Sequence, residues 1–267
     1  MDYFIVFLMR SRYILPIITS VAILVLGIIV ALIKVKQTKI LGLSVIFTGI
    51  GAVISSIENF FFYYMGAATA ARLNVAATYM ALIFTLASYF CICVYIHHNY
   101  EKKFYVPMLV IPVVGRFLTI GVNRLASMLG SRYMDYATVS FRTTLINNLS
   151  SMIINVTLLI ILYSVFSAKT KTEKYIPHYH IICLITLIWN VINHGYMVFY
   201  SFIMLSEITV IGFELPSFID AVIQKTYLLV TVFAALDALI GLVFPVYLLI
   251  RVLKASSTAK IESAPEI

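Results

Sequence analysis

The sequence predicts an all-α, polytopic membrane protein built as a bundle of seven transmembrane helices. Of its 267 residues, 62% are hydrophobic and 11% are charged, and the mean hydropathy is +1.02. A soluble domain is about 45–50% apolar and about 25% charged, and a soluble protein of this length could not bury so much apolar surface. The apolar residues form continuous runs, which are typical of membrane-spanning helices and not of barrel strands.

Seven apolar segments define the predicted spans. A helix needs about 20 apolar residues to cross a hydrocarbon core of about 30 Å. The segments and their short connections make one predicted transmembrane domain over residues 1–254, followed by a short disordered cytoplasmic tail over residues 255–267. In chain order the predicted spans are 13–33, 40–64, 75–96, 104–122, 146–166, 178–205 and 227–250.

The basic residues predict the orientation of the chain. Cytoplasmic loops of membrane proteins carry an excess of Lys and Arg. Eleven such residues follow the first, third, fifth and seventh spans, and seven lie on the opposite side. This bias places the N-terminus outside and the C-terminus in the cytoplasm, although Arg10 and Arg12 oppose it. We expect a plasma-membrane protein whose net charge of +8 faces anionic lipid and not nucleic acid.

Ionisable side chains inside predicted spans need a partner or a function. From the helical rise, Arg116 lies about 18 Å from the inner end of the fourth span, and Asp237 lies about 15 Å from the outer end of the seventh. Because these depths are similar, we predict an intramembrane ion pair between Arg116 and Asp237, with Glu58 as the alternative partner of Arg116. The charges could serve the structure alone or contact a ligand.

Polar side chains in the second, fifth, sixth and seventh spans predict a small-molecule site in the outer half of the bundle. Asn190 and His194 are four residues apart and therefore share one helical face. Interhelical hydrogen bonding would also explain each polar residue taken singly. The predicted ligand-binding residues are Glu58, Asn59, Asn155, Trp189, Asn190, His194 and Asp237.

The sequence contains no motif that would indicate an enzyme. It has no GxSxG, HExxH or P-loop pattern. Cys91, Cys93 and Cys183 all lie inside apolar segments, where a cysteine packs as a small hydrophobic side chain. We therefore expect no catalytic activity, no cofactor and no metal site.

Two short stretches resemble a receptor family. A Tyr-Glu-Lys-x-aromatic pattern occupies residues 100–104 after the third span, and Asp237, an apolar stretch and Pro245 occupy the seventh. With the seven-span layout, these stretches resemble the nematode chemosensory serpentine receptors, most closely the gamma class. The resemblance implies a G-protein-coupled chemosensory receptor for a small molecule. Pro245 also removes one helical hydrogen bond and predicts a kink.

The inner loops are the surface that would face a G protein. The residues expected there are Tyr100, Glu101, Lys102, Lys103, Lys169, Lys171 and Lys174. Two alternatives remain open from the sequence. One is a seven-span ligand-gated ion channel with its N-terminus inside, and the other is a structural membrane protein without a ligand.

Overall fold

The helices of the protein confirm the predicted all-α fold. The computed structural model describes residues 2–33, 38–64, 67–100, 105–130, 136–166, 179–210 and 217–262, and within these ranges it contains no β-strand. The helices are α1 (Asp2–Leu32), α2 (Thr38–Tyr64), α3 (Ala67–Asn99), α4 (Tyr105–Gly130), α5 (Tyr136–Phe166), α6 (Tyr179–Val210), α7 (Ser217–Ile240) and α8 (Val243–Glu262).

Six helical segments are long and apolar enough to cross a membrane, so the protein is an integral, polytopic membrane protein. Large apolar side chains are exposed along their outer faces. On α1, for example, Ile14, Ile18 and Val21 all point outward, which suits contact with lipid and not with water. The six segments are Ile14–Leu32, Lys39–Ile57, Ala76–Asn99, Val106–Leu125, Arg142–Val165 and Leu229–Lys254.

The sixth predicted span forms helix α6, but α6 is not among these six segments of the described chain. Its length would suffice for a crossing. The middle of the helix carries Trp189, Asn190, Asn193 and His194, which lower its mean hydropathy. A crossing by α6 therefore stays a prediction.

The helices pack in chain order to form a closed ring. Each helix from α1 to α6 contacts the next one in the chain, and α7 contacts α1. Helix α8 contacts both α1 and α6. Because short connections join the helices, consecutive helices from α1 to α7 run antiparallel, whereas α7 and α1, which close the ring, run parallel.

Glycines bring α1 and α2 into close contact. A Cβ atom on Gly42 would lie 2.8 Å from the backbone nitrogen of Ala31, and one on Gly49 would lie 2.8 Å from the Cα of Leu24. Small residues of this kind let helix backbones approach in membranes, where no hydrophobic effect drives helices together.

A buried apolar cluster occupies one end of the ring. Val30 is near the end of α1, Leu41 is near the start of α2, and Ile96 is near the end of α3. Because consecutive helices are antiparallel, these alternating positions lie at the same end, which corresponds to the predicted cytoplasmic side. We call it the packed end, and it comprises Val30, Leu41, Ile96, Tyr100, Met108, Leu158, Leu162, Val165, Leu248 and Val252.

The predicted seventh span is broken at Gly241 and Leu242, between α7 and α8. Pro245 has no N–H, and its ring would clash with the carbonyl of Gly241 in a continuous helix. Gly241 N donates to Asp237 O at 2.9 Å, and Leu242 N donates to Leu239 O at 3.1 Å, which closes a tighter turn. The helix is thus interrupted one turn before the proline, at the place where Pro245 could permit a kink.

Helix α8 continues to Glu262, past the point at which a disordered tail is predicted. The chain after Lys254 contains Ala255, Ala259 and Lys260, which favour helix and can extend one that has already formed.

Candidate functional site

A polar cavity of about 460 Å³ lies between α2, α3, α4, α5 and α6. Its volume is within the range of about 300–1,000 Å³ that small-molecule sites occupy. Its apolar lining comes from Ala81, Leu82, Pro112 and Ile154. The other lining side chains are polar: Ser55, Thr78, Thr85, Tyr89, Arg116, Ser151, Asn155, Asn190 and His194.

Helical periodicity explains how the lining forms. Residues four apart share a helical face, and three helices each present such a pair. The pairs are Pro112 with Arg116, Ser151 with Asn155, and Asn190 with His194.

Helix α3 contributes a stripe that the sequence analysis missed. Thr78, Thr85 and Tyr89 are seven and four residues apart, so they lie on one face of the helix. A search for polar residues at this spacing would have found them, although Thr and Tyr are common enough in spans for the pattern to be weak.

Arg116 is the charged side chain among the described residues of the lining. It does not meet Asp237, and within the described part of the chain no carboxylate lies at ion-pair distance from its guanidinium. Similar depth was the basis of the predicted pair, but α4 and α7 are not neighbours in the ring. The side chain of Glu58, the alternative partner, lies outside the described residues.

Asp237 instead joins α7 to α6. Its Oδ1 accepts a hydrogen bond from Nε1 of Trp189 at 2.9 Å. The Trp189 ring stacks on Phe233 with ring centroids 5.6 Å apart, and Tyr196 stacks on Phe233 at 4.3 Å. Trp189 and Asp237 are not among the residues that line the cavity, but the Asp237 carboxylate is close enough to interact electrostatically with His194, which does line it.

His194 is oriented by a hydrogen bond to α5. Its Nδ1 lies 2.9 Å from Oδ1 of Asn148, and Nδ2 of Asn148 donates to the backbone oxygen of Thr144 at 2.8 Å. Because the Asn148 amide nitrogen is engaged, its oxygen faces the ring, and Nδ1 of His194 must be the donor. The Nε2 atom is then the acceptor of the neutral ring.

The side-chain amides of Asn190 and Asn155 both line the cavity, but only that of Asn190 has a hydrogen-bond partner among the described residues. Nδ2 of Asn190 donates to the backbone oxygen of Thr186 at 2.8 Å. The amide of Asn155 and the hydroxyl of Ser151 make no hydrogen bond to any described residue. Since both line the cavity, their donors and acceptors are available to a ligand.

The structure therefore brings together three of the predicted ligand-binding residues, Asn155, Asn190 and His194. The side chains of Glu58 and Asn59 lie outside the described residues. So do Glu101, Lys102, Lys103, Lys169, Lys171 and Lys174 of the predicted G-protein-facing surface.

Tyr100 is the described member of that predicted surface. It is 2% exposed and packs within the buried cluster at the packed end. Its ring lies against Tyr95 with centroids 6.4 Å apart, so the tyrosine contributes to packing beneath the surface.

Other features of the described chain are less suited to a specific ligand. A second cavity, of about 660 Å³, is lined by apolar side chains and the Cys91 thiol, and it lacks groups that would orient a ligand. No group of three or more His, Cys, Asp or Glu residues in the described ranges could hold a metal ion.

Comparison of the chain with family models, curated proteins and solved structures found no match.

Proposed function

We propose that this protein is a membrane receptor that signals to a cytoplasmic G protein. Its ligand would be a small molecule bound in the polar cavity that helices α2 to α6 line. The observation that carries the proposal is a polar cavity of about 460 Å³ inside a bundle whose buried residues are mostly apolar. Polar groups at membrane depth are costly unless they have partners or a function. Asn155 and Ser151 have no hydrogen-bond partner among the described residues, and a bound ligand is the simplest way to supply one.

The packing of α6 supports seven crossings and termini on opposite sides of the membrane. Leu187, in the first half of α6, packs against the cluster at the packed end, and His194 bonds to Asn148 of α5. Helix α6 therefore runs beside α5, and α5 contains the candidate span Arg142–Val165. Because α6 packs along α5 from the packed end to the cavity, we expect α6 to cross the membrane beside α5.

Helix α6 also offers a route from the cavity to the packed end. It carries His194 at the cavity and Trp189 at the contact with Asp237. A ligand that prefers one position of α6 shifts the population of that contact. The break at Gly241 then lets α8, which contributes Leu248 to the packed end, move as a separate unit.

The resemblance to chemosensory serpentine receptors supports the choice of a G protein as the partner. It rests on residues 100–104 and on the stretch from Asp237 to Pro245. The basic loops after the third and fifth predicted spans would supply the docking surface.

Topology is the first test. Epitope tags on both ends are stained in intact and in permeabilised cells. We expect the N-terminal tag to be accessible in intact cells and the C-terminal tag only after permeabilisation. Tags on the same side would mean that α6 does not cross, and an N-terminus inside with the C-terminus outside would contradict the receptor topology.

Blocking the cavity is the second test. Ala81→Phe would fill the cavity, whereas Ala76→Phe adds the same ring at an exposed position of the same helix. In cells screened with small molecules, G-protein activation should be lost in the first variant and kept in the second. Ligand-evoked current that persists without G-protein signalling would instead indicate the channel.

A further inference from the structure

We propose that the ligand of this cavity carries a carboxylate and that Arg116 binds it. This inference rests on the proposed function, because it names the ligand class of the same site. Arg116 has no carboxylate partner among the described residues, and it faces a polar cavity whose described lining contains no acidic residue.

Arg116 leaves the described lining of the cavity with a net positive charge. A guanidinium stays protonated in proteins, so Arg116 cannot become neutral by losing a proton, as a buried Lys could. A charge held at membrane depth pairs with an opposite charge or faces water. In the described part of the chain Arg116 has no such pair, so an anion that enters the cavity would supply it.

The geometry favours a carboxylate over a simple point anion. A guanidinium presents a planar fork of N–H donors that matches the two oxygens of a carboxylate. The Asn155 amide and the Ser151 hydroxyl line the same cavity and make no hydrogen bond to a described residue. They can complete the hydrogen bonds that the two carboxylate oxygens accept.

The number of charges favours a carboxylate over a phosphate. Arg116 supplies one fixed positive charge to the described lining, and a carboxylate carries one negative charge. A phosphate monoester carries about −1.5 to −2 at neutral pH and would leave charge uncompensated. Leu82 and Ile154 supply apolar contact, so the expected ligand is a carboxylate on an apolar body.

The test is a comparison of matched probes on the full-length protein in lipid nanodiscs. The panel contains aliphatic and aromatic carboxylates of about six to ten carbon atoms, a size suited to the cavity. Each carboxylate, such as octanoate, is paired with its primary amide, such as octanamide. Binding is measured by the shift in melting temperature and by the fluorescence of Trp189, which is the one tryptophan of the sequence.

We expect the best carboxylates to bind at least about tenfold more tightly than their amides, since hydrogen bonds to charged groups are the stronger ones. Arg116→Gln should remove this preference while the amides still bind, which shows that the variant is folded. Arg116→Lys keeps the charge without the planar fork and should keep part of the preference.

Several results would overturn the proposal. One is a panel in which no carboxylate binds more tightly than its amide. Another is a preference that survives in Arg116→Gln. A third is a preference that appears only after Glu58→Gln, which would mean that Glu58 already neutralises Arg116. Binding of amides alone would leave the receptor function intact, whereas a cavity that binds neither class would count against that function as well.

Discussion

The packed end and the polar cavity belong to one ring of helices, yet their interiors are built differently. At the packed end, Leu248 and Met108 are fully buried among apolar neighbours. In the cavity, Asn155 and Arg116 are partly exposed to an open volume. In a membrane, close packing supplies most of the attraction between helices. The comparison therefore indicates that the packed end contributes more to the stability of the bundle than the cavity does.

Removing volume from the packed end should have the largest effect. Leu248 is 0% exposed, so Leu248→Ala leaves a cavity that we expect to lower the free energy of unfolding by about 3 kcal/mol. Leu253→Ala is the matched control, because Leu253 lies on the same helix and is 52% exposed. Thermal unfolding in detergent measures both. Equal losses would show that α8 is not held by the packed end.

Adding one carbon to the seam between α1 and α2 should have the next largest effect. The new Cβ of Gly42→Ala would meet the backbone of Ala31, which cannot move as a side-chain tip can, and we expect a loss of about 2 kcal/mol. Gly121 has no atom within 4 Å of its Cβ position. There Ala should raise helix stability by up to about 1 kcal/mol. If Gly42→Ala left the free energy of unfolding unchanged, α1 and α2 would be farther apart at this position than 2.8 Å from Cβ to backbone implies.

Weakening the contact between α6 and α7 should lower the free energy of unfolding by an intermediate amount. Trp189→Phe keeps an aromatic ring for stacking on Phe233 but removes the N–H that Asp237 accepts, and we expect a loss of about 1.5 kcal/mol. Asp237→Asn keeps an acceptor oxygen and should cost less. It should also shift the emission of Trp189, as fluorescence spectra will show. Unchanged emission would mean that the two side chains do not touch in the membrane.

The smallest effect on stability should come from the cavity. Asn155→Leu replaces an amide that has no described partner with a side chain of similar size, so we expect a change within about 0.5 kcal/mol. The same variant should weaken carboxylate binding in nanodiscs, whereas Leu253→Ala should not. A large loss of stability would instead show that Asn155 holds helices together.

The fold could be predicted from the sequence because hydropathy reports burial in lipid one segment at a time. Over their described residues all seven predicted segments form helices, and the seventh is interrupted before Pro245. Helix ends were less predictable, because helices such as α5 continue beyond the apolar stretch into polar sequence.

The site could be predicted only in part. Asn155, Asn190 and His194 stand out as strongly polar residues in apolar spans, and all three line the cavity. The Arg116–Asp237 pair failed because depth along one helix does not reveal which helices are neighbours. The α3 stripe escaped notice because hydroxyl groups are ordinary in spans, where they often bond to their own helix, as Thr85 does to Ala81.

The polar middle of α6 also bears on how the growing chain enters the bilayer. A strongly apolar helix leaves the translocon for lipid on its own, and each strongly polar residue near its centre opposes that step. Helix α6 carries Asn190 and His194 there, and the histidine finds its hydrogen-bond partner on α5. We therefore expect α6 to insert poorly as an isolated segment and well behind α5, so that the two helices enter the membrane during synthesis as one hairpin.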